Sequence, residues 1–230
     1  MQSGVIDNYQ NVLKRVKTAC AAAGRRENEV TVLPVIKYAK NEDVLTLLNF
    51  LGSGAAAAES RLQDAQKRWE LPQFKVLRQK VNLHYIGALQ SNKIAKIVSF
   101  FDFIDSVPDI ETARRIDVAA SKPVKCMLQV KLTDRVTQSG VKPEDAPALI
   151  SEIKNLKNIN LCGLMAIAPQ TEDEKILRPL FKTVKQLWDK EFGAQKEKYL
   201  SLGMSGDLET AVEEGSTLPR VGSAIFGEKQ

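Results

Sequence analysis

Residues 199–227, YLSLGMSGDLETAVEEGSTLPRVGSAIFG, contain two turns of small residues that each follow a strand-like segment. Residues 200–204 are an apolar run of strand length, residues 205–207 have turn composition, and the aspartate that ends this turn can cap a helix over 208–214. The second turn is 222–224, which is again rich in small residues. Backbone N–H groups at such turns and at helix starts approach anions closely. The stretch therefore predicts an anion-binding site.

Two successive strand–turn units also indicate the fold, because (β/α)8 barrels build a phosphate site after their last two strands. Strand-like and helix-like segments alternate along the rest of the chain. The predicted strands are residues 30–37, 55–59, 83–87, 101–107, 124–132, 161–167, 199–204 and 219–226. The predicted helices are an opening one from about 6 to 24, followed by 41–50, 61–69, 91–100, 109–120, 143–156, 172–192 and 207–214.

This alternation predicts a closed (β/α)8 TIM barrel with an additional N-terminal helix, and residues 1–230 are expected to form a single domain. Several predicted strands are nearly continuous apolar runs, which is typical of parallel strands covered on both faces. An open doubly wound sheet is the alternative. It is disfavoured because the GxGxxG loop that follows the first strand of such a sheet is missing from the sequence.

The composition favours a soluble cytoplasmic protein. The net charge of +5 comes from 33 basic and 28 acidic residues that are spread along the chain, so no nucleic-acid partner is expected. Cys20, Cys126 and Cys162 are far apart and lack CxxC spacing, which argues against a disulfide framework and a metal site. The N-terminus does not read as a secretion signal, and no apolar run approaches the roughly 18 residues that span a bilayer, so no membrane partner is expected.

Two basic residues lie at the mouth of the expected barrel. Lys37 ends the first strand in LPVIKYAK, where partial desolvation favours a nucleophilic amine; the alternative is a surface lysine whose stem packs on the barrel. Arg220 lies in the last strand, where a buried guanidinium needs an acceptor, either a bound ligand or an acidic side chain. A lysine that faces a phosphate site is the minimum arrangement needed to hold pyridoxal 5′-phosphate.

Two further residues lie near predicted strand ends. His84, the single histidine of the sequence, is expected to be a packed side chain with one satisfied nitrogen. General-base chemistry would require a partner that the sequence does not identify. Met165 in LCGLMAIAP is expected to fill the core, but its thioether can also pack against the flat ring of a cofactor.

Six motifs occur together in this chain: LPVIK, AESRLQD, LHYIGALQSNK, CGLMAIAP, LSLGMSGDLETAVEEGST and RVGSAIFG. In this order and at these intervals, they resemble the pyridoxal phosphate homeostasis protein family, whose members are single-domain barrels related to the N-terminal domain of alanine racemase. The resemblance runs from about Val30 to the C-terminus. The combination of IGALQSNK with GMSGDLETAVEEGST is highly specific for this family.

The resemblance implies that Lys37 forms the Schiff base with pyridoxal 5′-phosphate. The residues that it implies for the phosphate are Ser205, Gly206, Gly222 and Ser223. It also places Arg220 beside the pyridine nitrogen. Because a permanent cation cannot accept a hydrogen bond from a protonated ring, that nitrogen stays unprotonated and the cofactor becomes a poor electron sink.

The chain departs from the family pattern at several positions. Ile36 and Tyr38 flank Lys37, where the family often has hydroxyl-bearing residues. The tripeptide Ala58-Glu59-Ser60 replaces the usual Gly-Glu-Asn, which puts in doubt any contact that the asparagine makes near the cofactor. Ser223 replaces a threonine and keeps the hydroxyl group.

Two functions from different classes are consistent with these residues. The first is a protein that holds, buffers or delivers pyridoxal 5′-phosphate (PLP) without substantial substrate turnover. Apoenzymes that depend on PLP are the candidate recipients. The second is an amino-acid racemase or decarboxylase that uses the same site. Racemases of this fold take a tyrosine base from an added β domain, and no second domain is expected here. Tyr38 and Tyr85 lie near strand ends, so the enzyme alternative stays open. A barrel-type sugar-phosphate enzyme would leave Lys37 and Arg220 without a joint role.

Overall fold

The computed structural model describes residues 4–133 and 138–227. This part of the chain contains parallel strands that alternate with helices. The strands are β1 (Leu33–Pro34), β2 (Ala55–Glu59), β3 (Val81–Tyr85), β4 (Phe103–Val107), β5 (Val124–Val130), β6 (Ile159–Ala166), β7 (Tyr199–Ser201) and β8 (Arg220–Val221). The α-helices are α1 (Val5–Ala22), α2 (Asn41–Leu51), α3 (Leu62–Trp69), α4 (Pro72–Arg78), α5 (Ile94–Phe100), α6 (Ile110–Ala119), α7 (Ala146–Lys154), α8 (Glu174–Phe192), α9 (Leu208–Glu213) and α10 (Ser223–Phe226).

The strands form a closed barrel. Strands β2 to β7 pair in sequence order, and β1 pairs with β8 so that Leu33 lies opposite Arg220. Backbone hydrogen bonds join these two sheets on both sides: Ile36 N–H donates to Ala58 O at 2.9 Å, and Arg220 N–H donates to Gly203 O at 3.0 Å. The predicted TIM barrel is therefore confirmed.

Apolar side chains fill the barrel and also coat its outer face. The interior contains a cluster formed by Leu33, Ala58, Phe103, Met127, Cys162, Met165 and Leu218. A larger cluster lies between the strands and the surrounding helices. The predicted N-terminal helix is confirmed as α1, whose buried residues recur every three or four positions, as expected for one helical face. This face packs against α9 and α10, next to the last two strands.

The last predicted strand, 219–226, is wrong at its C-terminal half. Only Arg220–Val221 is a strand, and the chain then turns into α10, where Phe226 N–H donates to Gly222 O at 2.9 Å. Ile225 favours strands intrinsically, but it is fully buried in the cluster that includes the inner face of α1. Tertiary packing therefore overrides the local preference.

Several other boundaries differ from the predictions: β3 begins two residues earlier than predicted, β7 ends at Ser201, and α7 is shorter at both ends. The structure also contains a helix that was not predicted, α4; Pro72 begins it, at a position where the missing N–H of proline costs nothing. The first strand, predicted over 30–37, is limited to Leu33–Pro34, with a single further bridge at Val35. Lys37 consequently lies in the turn after β1. No helix in the described part of the chain is long and apolar enough to cross a membrane.

Candidate functional site

A cavity of about 1160 Å³ opens at the C-terminal ends of the strands. This is the end at which TIM barrels carry their functional residues. Six of the seven residues that the sequence singled out line it: Lys37, Ser205, Gly206, Arg220, Gly222 and Ser223. The seventh, Met165, is buried in the interior cluster and is not among the lining residues, so its contact with a ligand stays a prediction.

The two predicted small-residue turns lie side by side on the cavity wall. Ala224 N–H donates to Ser205 Oγ at 3.2 Å, which ties the second turn to the first. The backbone N–H groups of Ser205, Gly206, Gly222 and Ser223 have no hydrogen-bond acceptor among residues 4–133 and 138–227. Four unpaired donors on residues that line one cavity suit an anion with several oxygens.

Close packing sets the backbone that leads into the first turn. Gly203 has a φ of +86°, and a Cβ added there would lie 2.4 Å from Ala211 Cβ, so only glycine fits. Asp207 lies at the N-cap position of α9, as predicted, but its side chain makes no capping hydrogen bond. Its Oδ1 instead accepts a hydrogen bond from Met204 N–H, which closes the turn itself.

The N-terminal helix also holds this turn. Arg15 in α1 donates from Nη2 to Ser205 O at 3.0 Å and from Nε to Glu209 Oε1 at 2.6 Å. The carboxylate thereby orients the guanidinium against the turn. The sequence does not reveal this contact, because Arg15 lies 190 residues before Ser205 and its helix face carries no signal of a partner.

Arg220 is buried, with 4% of its surface exposed, and it projects from β8. Its Nη1 donates to the carbonyl and the hydroxyl of Ser201, both at 2.8 Å, and its Nη2 donates to Ala166 O at 3.0 Å. Burial lowers the pKa of this guanidinium, and the carboxylates of Asp105 and Asp207 oppose that effect. Within the described ranges Arg220 forms no salt bridge. The acidic side chain that was considered as its acceptor is therefore not present, and neutral oxygen atoms accept its hydrogen bonds instead.

His84 has the partner that the sequence did not identify. Its Nδ1 lies 2.9 Å from Asp105 Oδ2, and its ring stacks on Phe103 with the centroids 4.0 Å apart. His84 pairs with Phe103 across β3 and β4, so Asp105, two residues further on, points to the same interior face. Neither His84 nor Asp105 is among the residues that line the cavity. Alternate residues along a strand point to the same face, so this pair could have been inferred once the register between β3 and β4 was known.

Glu59, the middle residue of the unusual Ala58-Glu59-Ser60 motif, is completely buried at the end of β2. Its Oε1 accepts a hydrogen bond from Arg68 at 2.6 Å, whereas Oε2 has no partner among the described residues. Burial raises the pKa of this carboxyl group from 4.5 to about 7, although the charges of Arg68 and Lys37 act in the opposite direction.

A pH dependence of stability follows from Glu59. A carboxyl group with a raised pKa binds protons preferentially in the folded state, so its contribution to the free energy of unfolding falls as pH rises from about 4.5 to 7. The full decrease is roughly 3 kcal/mol. Glu59→Gln should remove this decrease, as measured by urea unfolding between pH 5 and pH 8. The exposed Glu27→Gln is the control, and equal slopes for both variants would contradict the assignment.

The chain is similar to proteins of one known family. The model of the alanine racemase N-terminal domain matches residues 8–230. The pyridoxal phosphate homeostasis protein of Pseudomonas aeruginosa is 34% identical over 99% of this chain and 96% of its own. The protein of the same name from Aquifex aeolicus is 32% identical over 97% of this chain and 98% of its own.

Three solved structures have the same architecture. A protein of unknown function from Bifidobacterium adolescentis has a TM-score of 0.84 and 31% identity, with 96% of this chain and 94% of that chain covered. PipY of Synechococcus elongatus, solved with PLP bound, has a TM-score of 0.75 and 26% identity over 94% of this chain and 100% of its own. Alanine racemase of Clostridium difficile, at 17% identity and a TM-score of 0.70, shares the fold over 96% of this chain and 56% of its own.

The family model covers nearly all of the chain, and the Pseudomonas relative exceeds 30% identity along almost its whole length. The resemblance seen in the sequence motifs is thereby confirmed. This chain belongs to the alanine racemase N-terminal domain family and, within it, to the pyridoxal phosphate homeostasis proteins.

Proposed function

We propose that this protein binds pyridoxal 5′-phosphate and maintains its intracellular supply, holding the cofactor on Lys37 without substantial substrate turnover. One observation carries the proposal: the amine-bearing turn after β1 and the two small-residue turns after β7 and β8 line the same cavity. The relatives named for pyridoxal phosphate homeostasis and the PLP-bound structure of PipY support the same ligand.

Lys37 supplies the covalent link in this proposal. Its Nζ would condense with the aldehyde of a bound cofactor, with one C=N bond formed and one molecule of water released. No oxidant or reductant is needed. Lys37 is among the residues that line the cavity, and its Nζ lies 5.2 Å from the centroid of the exposed Tyr38 ring.

The unpaired backbone N–H groups of the two turns bind the phosphate in this proposal. Ser205 and Gly206 supply one pair, and Gly222 and Ser223 supply the other. An added Cβ at Gly206 would meet no atom within 4 Å, so the backbone there faces open space that a ligand can enter. Hydrogen bonds from neutral donors to a charged acceptor are about twice as strong as neutral ones.

Arg220 is proposed to lie beside the pyridine nitrogen and to limit turnover. Bound pyridoxal phosphate supplies an electron sink for carbanions at the α-carbon of amino acids. A guanidinium has no lone pair to accept a proton, so it cannot stabilise the protonated ring that makes this sink effective. The hydrogen bonds to Ser201 and Ala166 fix Arg220 in place. The site then favours storage of the cofactor over chemistry on it.

A turnover experiment separates this proposal from an amino-acid racemase or decarboxylase. The loaded protein is incubated with a panel of amino acids, and solvent deuterium incorporation, enantiomer conversion and CO₂ release are measured. We expect at most slow exchange of the α-proton, with Lys37 as the base. Product formation at an ordinary enzymatic rate, roughly 1–1000 per second, that is lost in Lys37→Ala would make the protein an enzyme.

A further inference from the structure

Lys37 lies in a tight turn that is held in position by a side chain from another part of the chain. Ala39 N–H donates to Ile36 O at 3.0 Å, which closes the turn and leaves Lys37 and Tyr38 as its two central residues. The turn joins β1 to α2. Since β1 is only two residues long, the strand pairing by itself gives this turn little support.

The guanidinium of Arg68 in α3 binds both ends of this turn. Its Nη1 donates to Ile36 O at 2.7 Å, and its Nη2 donates to Ala39 O at 2.8 Å. The Nε–H donates to Asn41 Oδ1 at 2.9 Å, at the first residue of α2. A planar group with donors in a fixed fork is suited to span several acceptors, and a lysine ammonium cannot reproduce that arrangement.

Glu59 anchors Arg68 to the barrel wall. The carboxylate lies at the end of β2, the strand next to β1, and accepts from Arg68 Nη1 at 2.6 Å. The side chain of Glu59 is fully buried and that of Arg68 is 11% exposed, so water screens this pair little. The turn is thereby connected through Arg68 to a rigid strand.

We infer that Arg68, anchored by Glu59, is a positioning residue that determines where the Lys37 amine lies relative to the cavity. This inference rests on the proposed function, in which Lys37 forms the Schiff base. Arg68 has no hydrogen bond to the small-residue turns among the described residues, and it is not among the residues that line the cavity. The covalent half and the phosphate half of ligand binding should therefore be separable.

Two ligands distinguish these halves. Pyridoxal 5′-phosphate can react with Lys37, whereas pyridoxine 5′-phosphate lacks the aldehyde and reports the noncovalent site alone. For Arg68→Lys, we expect the rate and affinity of Schiff-base formation, followed by absorbance, to fall by roughly 10- to 100-fold, because small misplacements of a reacting group have effects of this size. The affinity for pyridoxine 5′-phosphate should be unchanged.

Arg78→Lys is the matched control. Arg78 makes a similar set of contacts, to Asp102 at 2.9 Å and to Phe100 O at 2.7 Å, but it holds the N-terminal ends of β3 and β4, away from the cavity. Arg78→Lys should leave the binding of both ligands unchanged. Asn41→Ala removes one exposed acceptor of Arg68 and provides a second test if Arg68→Lys does not fold. It should weaken Schiff-base formation alone, and by less.

The outcomes separate the two proposals. A wild-type protein that forms no adduct on Lys37 would overturn the proposed function itself. A normal wild-type adduct together with full adduct formation in Arg68→Lys would overturn the positioning role alone. Equal weakening of both ligands in Arg68→Lys and in Asn41→Ala would show that Arg68 supports the whole cavity, which also contradicts the inference.

Discussion

Lys37→Ala should abolish covalent retention of pyridoxal 5′-phosphate. Lys37 lines the cavity that also contains the unpaired N–H groups of the two small-residue turns, and alanine has no amine to condense with an aldehyde. The test incubates wild type and variant with excess cofactor, reduces with borohydride, and measures intact mass after gel filtration. The wild type should carry one cofactor, mapped by peptide analysis to Lys37, and the variant should carry none.

Lys40→Ala is the matched control for this experiment. Lys40 is exposed three residues further along the chain and is not among the residues that line the cavity, so its loss should leave the mass increase intact. A reduced adduct that maps to another lysine in the wild type would place the covalent site elsewhere. An adduct of normal yield in Lys37→Ala would have the same meaning.

Ser205→Ala should weaken the affinity for the phosphorylated cofactor by roughly 1–3 kcal/mol, or about 5- to 150-fold in Kd, the usual effect of losing a hydrogen bond to a charged group. The effect has two sources. Ser205 lines the cavity, so its hydroxyl is a candidate donor to the phosphate, and this hydroxyl also accepts from Ala224 N–H, which joins the two turns. Competitive dialysis against the wild-type protein measures the change.

Unphosphorylated pyridoxal provides the internal control for Ser205→Ala. It can react with Lys37 but has no phosphate for the turns to bind, so its affinity should be the same in the variant and the wild type. Ser99→Ala, on the exposed side of α5, should leave both ligands unaffected. A loss that is equal for pyridoxal and pyridoxal 5′-phosphate would place the phosphate away from Ser205.

Much of the barrel could be predicted because its signals are local. The β2 boundaries, Ala55–Glu59, were predicted correctly from a short apolar run between turns. The face of α1 followed from apolar residues at helical spacing, and the two small-residue turns followed from their composition. Each of these features depends on neighbours within a few positions, which a single sequence displays directly.

One error occurred where a distant contact decides the backbone, and another where two local hydrogen bonds compete. The chain from Ser223 to Phe226 is helical because Ile225 packs in the cluster formed with α1, more than 200 positions earlier in the chain. Asp207 does lie at the N-cap position of α9, but its side chain accepts from Met204 N–H, three positions earlier, instead of from an N–H of the helix. For Ile225, the local strand preference is worth less than the tertiary packing that competes with it.

The sequence by itself therefore determined the barrel, the reactive lysine candidate and the small-residue turns. Only the tertiary structure decided which side chains hold the two turns in place, Arg68 at the Lys37 turn and Arg15 at the Ser205 turn. It also decided that Asp105 is the partner of His84. The partners in these pairs are separated by 21 to 190 positions along the chain. An arginine or aspartate can bind any suitable acceptor or donor within reach, so its partner is set by the folded geometry and leaves no periodic pattern in the sequence.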